Sequence, residues 1–160
     1  MGLREACERL GDVRRDSHPR ELVKVFNHLD AGRHYWLQAL TRVPGEWDPG
    51  AKLTLRGQWP SDPAAQLERV WAAVAERCAR MEGSIRDNRI QLETRGIGRL
   101  RLHFDPELVD FARKVTLTIN GKSRPPLTLV RSTESMLRHV HRTGDTARLY
   151  WATQDLELAR

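Results

Sequence analysis

The chain has 160 residues, 39% hydrophobic and 30% charged, with a net charge of +6 at pH 7. That length suits one domain with its own core, and no apolar run approaches the roughly 18–20 residues that a membrane-spanning helix needs. Mean hydropathy is −0.60 and the pI is about 10.0. Such basicity invites a phosphate-bearing partner, but the cations are nearly all Arg, with Lys only at Lys24, Lys52, Lys114 and Lys122. They alternate with acids and form no block of like charge, which argues against nucleic acid.

The opening MGLREACERLGDVRRD lacks the apolar segment of a secretory signal. Two readings follow: a cytoplasmic protein, or a piece of a longer chain, secreted or periplasmic if its parent is exported. Leu3, Ala6, Cys7 and Leu10 have helical spacing, so residues 1–18 read as a helix and connector before a single domain over 19–160. Cys7 and Cys78 match no zinc spacing, and sequence leaves their pairing open. Residues 21–26 read as a strand, Asp30-Ala31-Gly32 as a turn, and 34–43 as the antiparallel partner, giving a hairpin. Residues 44–50 are dense in turn formers, and 52–56 read as a short strand.

Asp62-Pro63 is a strong helix start, with Asp as N-cap and Pro at the first helical position. Leu67, Val70, Trp71, Val74, Cys78 and Met81 follow at steps of three and four, predicting a helix over 63–79 with this stripe toward the core, or a tail that instead runs extended into the next strand.

The second half alternates with a period of two. Segments 83–86, 89–95 and 99–104 read as strands; in the third, Leu100, Leu102 and Phe104 oppose Arg99, Arg101 and His103. Residues 105–109 predict a helical turn. Val115, Leu117 and Ile119 then alternate with threonines up to Asn120-Gly121, a hairpin turn. Leu127 and Leu129 are expected to resume a strand after Pro125-Pro126. Ser132 caps a helix through Met136, Leu137 and Val140 that Gly144 ends, and 147–153 read as the last strand, with Leu156 and Leu158 as its extension. The fold expected is mainly β: a sandwich of antiparallel sheets, Ig-like or jelly-roll-like, with one amphipathic helix near 63–79 and one or two short helices.

No constellation of catalytic, metal-binding or cofactor-binding residues emerges. Ser84 lies in MEGSIRD, which is not a G-x-S-x-G elbow. His139 and His141 stand two apart on a helix and point to opposite sides, so they cannot share an ion. His28, Asp30 and His34 surround a turn, and Gly96-Ile97-Gly98 lacks the third glycine of a phosphate loop. Glu107 and Asp110 read as a charged helical face. The expectation is a non-enzyme without cofactor. The alternative reading is a binding module for an anionic ligand or nucleic acid on a basic sheet face of Arg89, Arg95, Arg99, Arg101 and His103. Trp36, Trp71 and Trp151 have core-like settings, whereas Trp47 and Trp59 lie in loops and suit contact with a neighbouring domain.

Three segments, in this order, carry a family resemblance: HPRELVKVFNHLDAGRHYWLQAL, DNRIQLETRGIGRLRLHFDPELVDFARKVTLTINGK and ESMLRHVHRTGDTARLYWATQDLEL. Together they resemble the all-β accessory domain that follows the catalytic domain of secreted esterase-like α/β-hydrolases. The resemblance implies a β-sandwich that packs on a catalytic domain or another protein partner, with self-association as a further option. The alanine-rich stretch 64–79 departs from that pattern. In the family the chemistry belongs to the preceding domain, so no catalytic residue carries over.

Overall fold

The computed structural model describes residues 16–43, 57–146 and 148–158. Among them are nine strands and two α-helices: β1 (Glu21–Phe26), β2 (Arg33–His34), β3 (Leu37–Arg42), α1 (Pro63–Arg77), β4 (Ala79–Arg86), β5 (Arg89–Arg95), β6 (Ile97–Phe104), β7 (Val115–Ile119), β8 (Lys122–Leu127), α2 (Thr133–Thr143) and β9 (Ala152–Glu157). They form a β-sandwich: a five-stranded sheet in the order β1-β4-β5-β7-β8 and a four-stranded sheet in the order β2-β3-β6-β9. The predicted N-terminal helix, the strand at 52–56 and Trp47 lie outside the described residues.

Alternation places the core. Met81 and Ile85 of β4, Ile90 and Leu92 of β5, and Val115 and Leu117 of β7 are buried from one sheet. Leu37, Leu100, Leu102 and Phe104 are buried from the other. Trp36 is fully buried among them and donates its indole N–H to the Pro19 carbonyl at 2.8 Å. Gly83 makes room for it: a Cβ there would stand 2.6 Å from Trp36 Cη2 and 2.9 Å from a Leu92 methyl.

Several local expectations meet their structural counterparts. Asp62 accepts from the Ala65 N–H at 2.9 Å, Ser132 accepts from the Ser135 N–H at 3.1 Å, and Gly144 takes the left-handed conformation (φ 67°) that ends α2. Asn120 and Gly121 have φ of 48° and 73° and join β7 to its antiparallel neighbour β8. The turn after β6 is organised by buried Asp105, whose Oδ1 accepts from the N–H groups of Glu107 and Leu108.

Other expectations are corrected. β1 and β3 do not form a hairpin. β1 pairs with β4, from Glu21↔Ser84 to Phe26↔Ala79, while β3 pairs with β6 through Leu37↔Leu102. The 3-10 turn Leu29–Ala31 lies between them, and the chain changes sheets there. The sheets are not wholly antiparallel, because β5 and β7 run parallel (Ile90↔Leu117), with β6 crossing the other sheet between them. α1 ends at Arg77, and Met81 belongs to β4, where the alternation of Ala79, Met81, Gly83 and Ile85 turns it inward.

Pro125 and Pro126 lie inside β8 and not before it, which an edge strand tolerates because its outer N–H groups have no ladder partner. The last strand starts later than expected, at Ala152, and runs on through the extension at Leu156 to Glu157, because its ladder is set by pairing with β6, from Phe104↔Ala152 to Arg99↔Glu157.

Candidate functional site

Two features stand apart from the sandwich core. The first is a group of three rings beneath α2. His139 is the one buried residue of that helix, at 6% exposed, and it meets His103 of β6, at 2%, and buried Tyr150. Ring centroids are 6.2 Å apart for His103 and His139, 5.1 Å for His103 and Tyr150, and 4.9 Å for His139 and Tyr150. α2 can cover this part of the four-stranded sheet because Met136, His139 and Val140 share one helical side by their spacing of three and four.

The hydrogen bonds assign the tautomers. Arg33 Nη2 lies 2.7 Å from His139 Nδ1. A guanidinium only donates, so Nδ1 accepts and the ring proton sits on Nε2. His103 Nε2 lies 3.0 Å from Gln38 Oε1, an acceptor that also receives Arg142 Nη2 at 3.4 Å. His103 therefore donates from Nε2 and leaves Nδ1 bare. His139 Nε2 and His103 Nδ1 are both buried without a hydrogen-bond partner among the described residues.

Electrostatics keep both rings neutral. Burial, and then the positive charge of Arg33, lowers His139 to about 4 and holds His103 well below the usual imidazole range. Burial pushes the Tyr150 phenol up to about 12. The Arg33 guanidinium is itself lowered, by burial first and next by Arg142. Two pockets flank His139. One of about 280 Å³ is lined by Arg33, Tyr35, Arg148 and Tyr150 among others. One of about 130 Å³ is lined by Arg101, His103, Arg138 and Arg142 among others.

The second feature is the outer side of α1. No residue of this helix is buried; Leu67 is 58% exposed and Trp71 63%. Trp59, 48% exposed, sits in a segment tied to the helix: Gln66 donates to the Pro60 carbonyl at 2.8 Å, and Arg69 donates to the Gln58 carbonyl. The core-facing stripe expected for α1 thus faces solvent at Leu67 and Trp71. Of the other tryptophans expected in the core, Trp36 is buried and Trp151 is half-buried under the Arg131 guanidinium, 4.5 Å from its ring.

The basic face expected from sequence does not assemble as one surface. Arg99, Arg101 and His103 lie on β6, while Arg89 and Arg95 lie on β5 in the other sheet. Arg101 holds Asp155 through two contacts of 2.5 and 2.8 Å, and Arg99 holds Glu157 at 2.7 Å, so these charges are neutralised across the β6–β9 ladder. Arg95 reaches the Ala75 and Cys78 carbonyls and satisfies the C-terminal end of α1. His103 alone enters the ring cluster. His139, Tyr150, Arg33 and Arg142 were not among the expected site residues. The only sequence signal for His139 is its helical phase with Met136 and Val140.

His28 and Asp30 are exposed, and His34 lines the larger pocket. His141 is exposed on the far side of α2, and Ser84 is half-buried opposite Glu21. Among the described residues no three His, Cys, Asp or Glu side chains group to hold a metal. Comparison with known proteins finds no matching family model, curated protein or solved structure.

Proposed function

We propose that this chain is a non-catalytic β-sandwich accessory domain that docks a neighbouring folded domain on the outer side of α1. The observation that carries this reading is the exposure of Leu67 and Trp71, one helical turn apart, on a helix with no fully buried residue. Large apolar side chains gain about 1.5–3 kcal/mol each when covered, and a central Trp ringed by polar groups is a common anchor of protein interfaces. Glu68, Arg69 and Glu76 supply such a rim, and Trp59 extends the apolar area. The sequence markers that resemble hydrolase accessory domains support an esterase-like catalytic domain as the partner. His139 and His103 are engaged by Arg33 and Gln38, which fix both rings beneath α2.

The test is to express the chain joined to the folded domain encoded beside it. Amide exchange over 63–77 should slow, Trp71 should resist acrylamide quenching, and the double change Leu67→Glu/Trp71→Glu should reverse both. Unchanged exchange in the joined protein refutes the reading. So does a purified chain that covers the same stripe by pairing with a second copy of itself.

A further inference from the structure

Around the larger pocket, positive charge exceeds negative charge. Arg148 is paired with Asp145, so those two charges cancel. Arg33 remains in this pocket, and Arg142, which lines the neighbouring one, is near enough to lower the basicity of Arg33. Among the described residues neither has a carboxylate within ion-pair distance, and each gives a hydrogen bond to a neutral group, Arg33 to His139 and Arg142 to Gln38. Arg33 is half-buried, and the two other guanidiniums nearby, Arg142 and Arg148, both disfavour its charge. Like charges brought together in a partly dry site raise the free energy until a counter-charge enters.

Arginine forks match the oxygens of a tetrahedral anion two at a time. The pocket is larger than one such anion needs, and beside Thr143 and the Asp145–Arg148 pair its wall carries the rings of His34, Tyr35 and Tyr150. We propose that the cleft between β2, the C-terminal end of α2 and Tyr150 binds a phosphate-like dianion through Arg33, with nearby Arg142 adding attraction.

The site has a built-in proton acceptor. When Arg33 turns to the anion it releases His139 Nδ1, which then takes a proton from solvent. The other charged groups packed around it do not remove this effect. From α2, Glu134 is paired with Arg138. From the sheet, Arg101 is paired with Asp155 of β9. His103 shares the lowered basicity of His139 and responds in the same direction. In the free protein His139 titrates at about 4, with burial the first cause and the Arg33 charge the second; a bound dianion offsets the second and raises the ring part of the way to the ordinary range near 6.5. Anion binding therefore takes up protons below that range and tightens as pH falls.

Sulfate is the suitable probe, because it stays a dianion across this range. It should shift the imidazole NMR signals of His139 and His103 and bind several-fold more tightly near pH 4.5 than near pH 7.5. Arg33→Gln should weaken binding at least tenfold. Arg142→Gln, at an exposed helix position, serves the same purpose if the first variant fails to fold. Arg89→Gln, on the other sheet, should leave binding unchanged. Phosphate binding as well as phenyl phosphate assigns the free anion, and tighter binding of phenyl phosphate assigns an ester whose ring rests on the aromatic wall. Histidine signals unmoved by tens of millimolar sulfate overturn the proposal. Sulfate binding that Arg33→Gln and Arg142→Gln leave intact overturns it too. Leu67→Glu/Trp71→Glu should not alter sulfate binding, so this site and the docking surface stand or fall separately.

Discussion

Asp62 and Ser132 open α1 and α2 in the same way, each accepting the backbone N–H of the residue three positions on. The helices then diverge. α2 turns Met136, His139 and Val140 toward the four-stranded sheet and leaves Leu137 65% exposed, so a histidine is its most buried side chain. α1 carries the more apolar stripe and fully buries none of it: Val70 and Val74 are half-buried, and Leu67 and Trp71 are exposed. Periodicity reports that a helix has two unlike sides. Which side meets protein depends on elements far away in sequence. For α2, β6 offers His103 and β3 offers Gln38, and a polar contact is the one that fits. For α1, Arg95 anchors only the C-terminal carbonyls, and the stripe stays outside.

The largest expected effect lies under α2. Tyr150→Ala should lower stability by about 3–5 kcal/mol, because a fully buried ring is lost and both histidines lose their packing partner. Denaturant unfolding measures it, and a loss below 1 kcal/mol would show that α2 is not seated on the sheet. The next effect is acid sensitivity. His139 titrates at about 4 in the folded chain and near 6.5 unfolded, so the unfolded state binds the extra proton first. Stability should be insensitive to this group above pH 6.5. It should decline between 6.5 and 4, by a total on the order of 2–3 kcal/mol. His139→Gln should remove that part of the slope, and an identical slope in the variant rejects the assignment. The smallest effect belongs to α1: Leu67→Ala and Trp71→Ala should each change the stability of the isolated chain by no more than about 0.5 kcal/mol. A drop in Tm like that of Tyr150→Ala would mean the stripe is already covered.

Much of the fold is legible in the sequence wherever the deciding contacts are local. Asp62, Ser132 and Gly144 bound the helices through bonds within a few residues, and Asn120-Gly121 makes its turn from its own backbone preferences. The period-two pattern of Leu100, Leu102 and Phe104 correctly places that side of β6 in the core. Pairing is not local. Phe26 finds Ala79 and Leu37 finds Leu102, and nothing in the short link between β1 and β3 announces that they part into different sheets. The ring cluster is hidden for the same reason. Its members come from β2, β6, α2 and the segment before β9, more than a hundred positions apart at the extremes (Arg33 and His139). His103 was placed on the outer side of β6 by alternation, and it does point there; α2 then covers it.

The parallel pairing of β5 and β7 has a consequence for how the chain reaches this structure. An antiparallel neighbour forms by folding back at a turn, as β7 and β8 do at Asn120-Gly121. A parallel neighbour requires the chain to leave and return, and here the excursion is β6 itself, hydrogen-bonded between β3 and β9 in the opposite sheet. The five-stranded sheet therefore cannot acquire its β7–β8 edge ahead of β6, nor can β6 be placed without committing the chain on both sides of it. Asn88 clamps the return, donating to the Asp110 and Arg113 carbonyls and accepting the Asp110 N–H. Closing such loops before their contacts form is an entropic barrier. The two sheets should consequently appear together, in one cooperative kinetic phase, with neither accumulating as a free-standing intermediate.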